Sequence, residues 1–195
     1  MKYLKMLGLA ALAATALAAW LGPATASATT VEVGGVAQNK AVAFTISLKS
    51  GTSTAFKDTT NNVVDTCTSS EINGNTVAPF TNVNAVNASV IEFYFANCTS
   101  GKTQVLKGGK LSFEWTVNTN GTARSSEAEI TVWDNIFGAS AVCKTGTTII
   151  GTVTGVAAGQ ATLHVNTVLA CGLLGTVKWE GTYAFTSPAG FGLRQ

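Results

Sequence analysis

Three carboxylates near the middle of the chain, Glu114, Glu127 and Glu129, have the spacing that comes nearest to chemistry. A two-residue type I′ turn at Asn120-Gly121 would close a hairpin with Glu114 opposite Glu127 and Glu129 two residues along the same face. Like charges opposed on a sheet cost up to about 1 kcal/mol, so something must compensate them. A calcium ion could bridge such oxygen donors. Two carboxylates at a cross-strand distance of about 5 Å could instead serve as acid and nucleophile of a retaining glycosidase. The plainer expectation is a solvated face neutralised by Lys110, Lys178 or another lysine, because surface carboxylates are common and a flat ribbon has no concave pocket. On that expectation the chain has no catalytic residue, no metal and no cofactor, with calcium as the one cation the cluster would take.

His164 is the only imidazole, so any Ser/His/Asp or Cys/His machinery must use it. It sits mid-strand between Thr162 and Asn166, away from any nucleophile elbow, and is expected on an exposed strand face. Cys67, Cys98, Cys143 and Cys171 are too widely spaced for zinc and are expected as two disulfides. Trp133, next to Glu129 on the outward side of its strand, could stack on a sugar ring. Asn87-Ala-Ser89, Asn97-Cys-Thr99 and Asn120-Gly-Thr122 fit the glycosylation triplet, which by itself carries little weight.

The elements that position these groups alternate with period two and are separated by Gly, Asn and Ser, which predicts strands. They run over Ala41 to Lys49, Asn62 to Ile72, Ser89 to Asn97, Val105 to Asn118, Arg124 to Asp134, Thr147 to Val156, Gln160 to Ala170 and Gly175 to Thr186, with a first strand near Thr30 to Val36. A single helical turn is expected near Asn135 to Ala139. The Asn120-Gly121 turn sets Leu111 opposite Ile130 and Phe113 opposite Ala128, with Trp115 on the same core face. A second turn at Ala157-Ala158-Gly159 faces Val153 with Leu163, Gly151 with Val165 and His164 with Thr152. Extending that ladder brings Cys143 near Cys171, which leaves Cys67 to pair with Cys98. Eight or nine such strands without crossover helices predict an all-β, antiparallel two-sheet β-sandwich. A membrane barrel is the rival, but Phe44, Phe93, Phe95, Phe113, Trp115, Trp179 and Phe185 read as a core, not as an aromatic girdle.

Residues 1–28 read as a cleavable signal peptide: Lys2 and Lys5, an Ala/Leu run from Leu7 to Leu21, then Ala26-Ser27-Ala28. Residues 29–195 are then one secreted domain, extracellular or at the cell envelope, without a transmembrane helix. Removing Lys2 and Lys5 takes the formal charge from +2 to zero. A neutral chain lacks the basic stripe that nucleic acid requires.

The C-T-S-S at Cys67 to Ser70, the F-A-N-C ending at Cys98, the N-G-T at Asn120 to Thr122, the I-I-G-T-V-T-G at Ile149 to Gly155 and the K-W-E-G-T-Y-A-F-T-S-P at Lys178 to Pro188 resemble a family of small exported actinobacterial proteins of unknown function. The resemblance implies export and two disulfides, and brings no activity or ligand. The function expected is that of a non-enzymatic exported module, structural, adhesive or ligand-binding, with an envelope glycan or protein as partner. The alternatives are a strand-exchanging filament subunit that donates Thr29 to Lys40 to a neighbour, so that an oligomer remains open, and a carboxylate-based polysaccharide hydrolase. Mass spectrometry of secreted material is expected to find Thr29 as the mature terminus, and retention of Met1 would overturn both the localisation and the neutral charge.

Overall fold

Alternating β-branched, aromatic and polar residues favour a pleated, half-buried chain, and the structure is built of strands. It is a computed structural model that describes residues 29–81, 85–115, 121–134, 138–154, 161–172 and 175–194. In chain order the strands are β1 (Thr30–Val33), β2 (Val36–Ala37), β3 (Ala43–Leu48), β4 (Thr54–Lys57), β5 (Val63–Thr76), β6 (Ala85–Cys98), β7 (Gln104–Lys107) and β8 (Lys110–Trp115). They continue with β9 (Gly121–Ser126), β10 (Glu129–Asp134), β11 (Ala139–Lys144), β12 (Thr148–Thr154), β13 (Thr162–Ala170), β14 (Thr176–Ser187) and β15 (Phe191–Arg194). Among these, β2, β4, β11 and β15 are short strands that the sequence pattern did not announce.

Twelve strands form one sheet, and that sheet closes on itself. One edge of β14 pairs with β13, from Thr162↔Ala184 to Ala170↔Thr176, while its other edge takes β3 and β4. Both β3 and β4 also pair with β5, so they share one position in the ring. Antiparallel pairs β5–β6, β6–β8, β8–β9, β9–β12 and β12–β13 complete it. The expected two-sheet sandwich is therefore corrected to an eight-stranded β-barrel with extra strands. Both architectures need the same alternation. What separates them is a long-range pairing, such as Phe185↔Ile46, that local pattern does not encode.

The extra strands prolong ring strands through a joint. Lys110↔Ser126 and Lys107↔Glu129 keep one register, as do Thr148↔Ser125 and Lys144↔Glu129. Glu127 and Gly109 meet at this joint with φ angles of 61° and 73°. A Cβ on Gly109 would lie 2.3 Å from the Ser126 carbonyl oxygen, so the close approach requires glycine. Passing the joint shifts the phase of the strand: Ala123 and Ser125 are buried before it, and Ile130, Val132 and Asp134 after it.

That shift corrects the first hairpin. Leu111 pairs with Ser125 and Phe113 with Ala123, and Gly121 lies inside the ladder opposite Trp115. The chain does not turn at Asn120-Gly121 as a two-residue loop, and residues 116–120 lie outside the described residues. No bulge interrupts the part of the second hairpin that the sequence set in register, and Gly151↔Val165, Thr152↔His164 and Val153↔Leu163 stand as expected. Its turn, and most of the turn expected over 135–139, lie outside the described residues, while Ala139 opens β11.

Closure directs the inward rows at one another. Trp179 contacts Phe56, Phe93, Phe95 and Tyr183 in one half of the barrel, and Phe44, Phe113 and Phe185 meet in the other. Polar tips in this core are satisfied: Trp179 Nε1 donates to Thr54 Oγ1 at 2.8 Å and the Tyr183 hydroxyl to Ser70 Oγ at 3.3 Å. Burial pushes the Tyr183 phenol above its ordinary range. A small sheet, β15-β1-β2, caps the second half, where Phe191 stacks on Phe185 at 4.5 Å and Val31 and Leu193 are buried. The void between Ile72, Val90, Phe93 and Trp179 measures only about 10 Å³, so this interior is packed solid. Outward positions of β13 and β14 carry His164, Asn166, Lys178, Glu180 and Thr182 together with Val168.

Two disulfides staple the barrel. Cys67 and Cys98 are opposite each other in β5 and β6, and Cys143 of β11 joins Cys171, the residue after β13. With sequence separations of 31 and 28, each contributes about 3 to 4 kcal/mol in the chain-entropy description. Replacing Gly109 by Ala is expected to cost about 2 kcal/mol or more in urea unfolding, from the forced positive φ and the clash at Ser126. An unchanged midpoint would show that the joint is not tight.

Candidate functional site

The barrel separates the three carboxylates that the sequence placed together. Glu114 lies opposite Thr122 and accepts a hydrogen bond from Arg124 Nε at 2.6 Å. Glu127, on the far side of the phase shift, takes Lys110 at 3.1 Å and Lys107 at 3.3 Å. Glu129 pairs with Lys144 at 3.1 Å and stands in a row of alternating charge, Lys107↔Glu129↔Lys144. The expected opposition of Glu114 and Glu127 is thus corrected, and the shared face from which the calcium and glycosidase alternatives were argued is not formed. The hydrogen bonds from Lys110, then Lys107, hold the Glu127 carboxyl below its ordinary range. Glu180 is lowered in the same way by Lys178, then Lys57.

Among the described residues, one group of three metal-ligating types comes together, Asp65 with Cys67 and Cys98. Both sulfurs are spent in the disulfide. Asp65 is 1% exposed, and its carboxylate accepts from Thr66 N at 2.9 Å, Ser100 N at 3.0 Å, the Ser100 hydroxyl and the Thr103 hydroxyl. It is an anchor for the turn between β6 and β7, with no free lone-pair side turned to a cation. The sequence hint was an aspartate in phase with Cys67, two residues before it, and the Thr/Ser-rich run Thr99-Ser100-Gly101-Lys102-Thr103 after Cys98.

His164 is exposed, between Thr152 and Thr182 on adjacent strands, with Thr182 Oγ1 3.4 Å from Nδ1. Trp133 is half-buried, and Lys102 Nζ lies 3.5 Å from its ring centroid, so a cation already occupies the face a sugar would stack on. The segment expected as a donated strand is held in its own chain, where β1 pairs with both β15 and β2.

One feature that the sequence reading missed is a groove of about 520 Å³ on the outer face over β6, β8 and β9. Its floor is two rows of directly opposed residues, Asn87↔Ser112↔Arg124 and Ser89↔Lys110↔Ser126. Serines make a depression because their side chains end near the sheet, while Arg124, Lys110 and Glu114 rise beside them. Val77, which donates its backbone N–H to the Asn87 carbonyl at 2.7 Å, lines one end, and Thr147 the other. The Glu114–Arg124 pair engages only Nε of the guanidinium, so the pair presents a donor group and an acceptor group side by side. The signal in the sequence was a set of serines at outward strand positions, and it needed the corrected register to be seen.

Comparison with protein-family models, curated proteins and solved structures found no match.

Millimolar calcium is expected to leave the melting temperature unchanged, because Glu114, Glu127 and Glu129 are held apart by separate cations; a rise with the logarithm of its concentration would contradict this. Glu180 has a folded-state pKa below its ordinary 4.5. The stability its pairs contribute is therefore complete above that value and lost as pH falls below it toward the depressed one. Thermal scans from about pH 5 to about pH 3 should show a smaller loss in Glu180→Gln than in the parent chain. Equal losses would remove Glu180 from the acid response.

Proposed function

We propose that this chain is an exported, non-enzymatic binding module that works outside the cytoplasm, at the cell envelope or beyond it, through its outer surface. The observation that carries the reading is the contrast between a barrel interior packed with aromatic rings and an outer face with a 520 Å³ groove rimmed by paired charges. A filled barrel has no room for a ligand inside, so recognition falls to the outside. Two disulfides support an oxidising compartment, and the motifs resembling exported actinobacterial proteins support export. His164, the single imidazole, contacts the Thr182 hydroxyl at 3.4 Å, but among the described residues no carboxylate is hydrogen-bonded to its ring to orient it as a base, which supports binding over hydrolysis.

The test is co-sedimentation of labelled mature protein with the envelope fraction of the source organism. Saturable binding, with no soluble product released over hours, is the expected result. Absence of binding, or steady release of a product, would overturn the reading.

A further inference from the structure

The geometry points to a polysaccharide, a linear hydroxyl-rich polymer, as the ligand of the outer groove, an inference that rests on the groove being the binding surface. Length is the first argument. Val77 hydrogen-bonds beside β6 and Thr147 precedes β12, so the groove crosses from the end of β5 over β6, β8 and β9 to β12. At about 4.8 Å per strand spacing, four spacings span about 19 Å, longer than one small molecule needs.

The chemistry of the floor is the second. Asn87, Ser89, Ser112 and Ser126 each donate and accept hydrogen bonds, and the Arg124–Glu114 pair adds a donor beside an acceptor. Neighbouring hydroxyls on a sugar ring need this combination. Arg124 is balanced by Glu114, and Lys110 by Glu127, so the groove has little excess charge for a strongly anionic polymer.

A peptide strand is disfavoured by the third. Where the groove lies, β6, β8 and β9 are paired on both edges, leaving no backbone ladder for an added strand. The lining also includes Val77, Ala88 and Leu111, which offer apolar contact to the C–H groups of a sugar ring between the polar side chains. No aromatic ring is among the residues lining the groove, so recognition runs through hydrogen bonds to ring edges and not through stacking.

The experiment uses the mature chain and its Ser112→Tyr variant, which fills the floor from an outward position, with Asn87→Ala as the smaller change. Affinity electrophoresis in gels containing dextran, xylan, galactan or soluble β-glucan is run alongside envelope sedimentation before and after periodate or protease treatment. At least one polysaccharide is expected to retard the parent chain, and Ser112→Tyr to weaken that Kd by about tenfold or more with its melting temperature unchanged. Envelope binding is expected to be abolished by periodate, which cleaves vicinal diols, and to survive protease. Envelope binding that survives periodate, or is equal in parent and Ser112→Tyr, would overturn the polysaccharide inference while leaving the exported binding module standing. Failure to bind either envelope or any of the four polymers would overturn both.

Discussion

The pairing of β14 with β13 on one edge and with β3 and β4 on the other is the constraint on which the rest of the molecule depends. An antiparallel meander left open has two edges with unsatisfied backbone groups, and closing it removes both at once. Closure also forces the inward rows of all eight positions to converge, which is why Trp179 and Phe185, on one strand, touch aromatic residues from β3, β4, β6 and β8. The outer face is then necessarily convex and mostly polar, and a depression on it has to be made by short side chains.

Local order was legible where nothing interrupts the period. β14 alternates Val177, Trp179, Tyr183 and Phe185 inward with Lys178, Glu180 and Thr182 outward, and the β12–β13 register follows from that kind of alternation. The disulfide between Cys143 and Cys171 was visible as proximity only, since extending that register brings the two within about one residue pair and β11 meets β13 in a shifted register, at Lys144↔Ala170. The first hairpin was not legible, because Glu127, a residue type that rarely adopts positive φ, supplies the extra position that inverts the strand. The available hint was the pair Gly108-Gly109 within an otherwise continuous run. Both the groove and the separation of the carboxylates depended on that one inversion.

Asp65 aside, the tight places cluster around the same joint. Asp65 holds the turn after Cys98, Gly109 admits the Ser126 carbonyl, and Lys107 and Lys110 close over Glu127 from the two strands that meet there. Because β7–β8 and β9–β10 bend together, half of each long strand can serve the closed ring while the other half covers β5 and β6. Groove floor and joint share Lys110 and Ser126. The position of the serine floor therefore depends on how the chain bends beneath it.

The cap has a consequence for how the chain can be rewired. Thr30 lies opposite Arg194, so the beginning and end of the described chain leave the barrel side by side, at the end sealed by Phe191. A short loop between them would yield a circular permutant with the same barrel, and new ends could be opened in any exposed turn away from the groove. The same adjacency orders events in time as the chain is made: β1 comes first with only the two-residue β2 beside it, and its other edge waits for β15, the last of the described strands. The cap is thus a latch that is fastened only after the barrel strands between its two halves have been made.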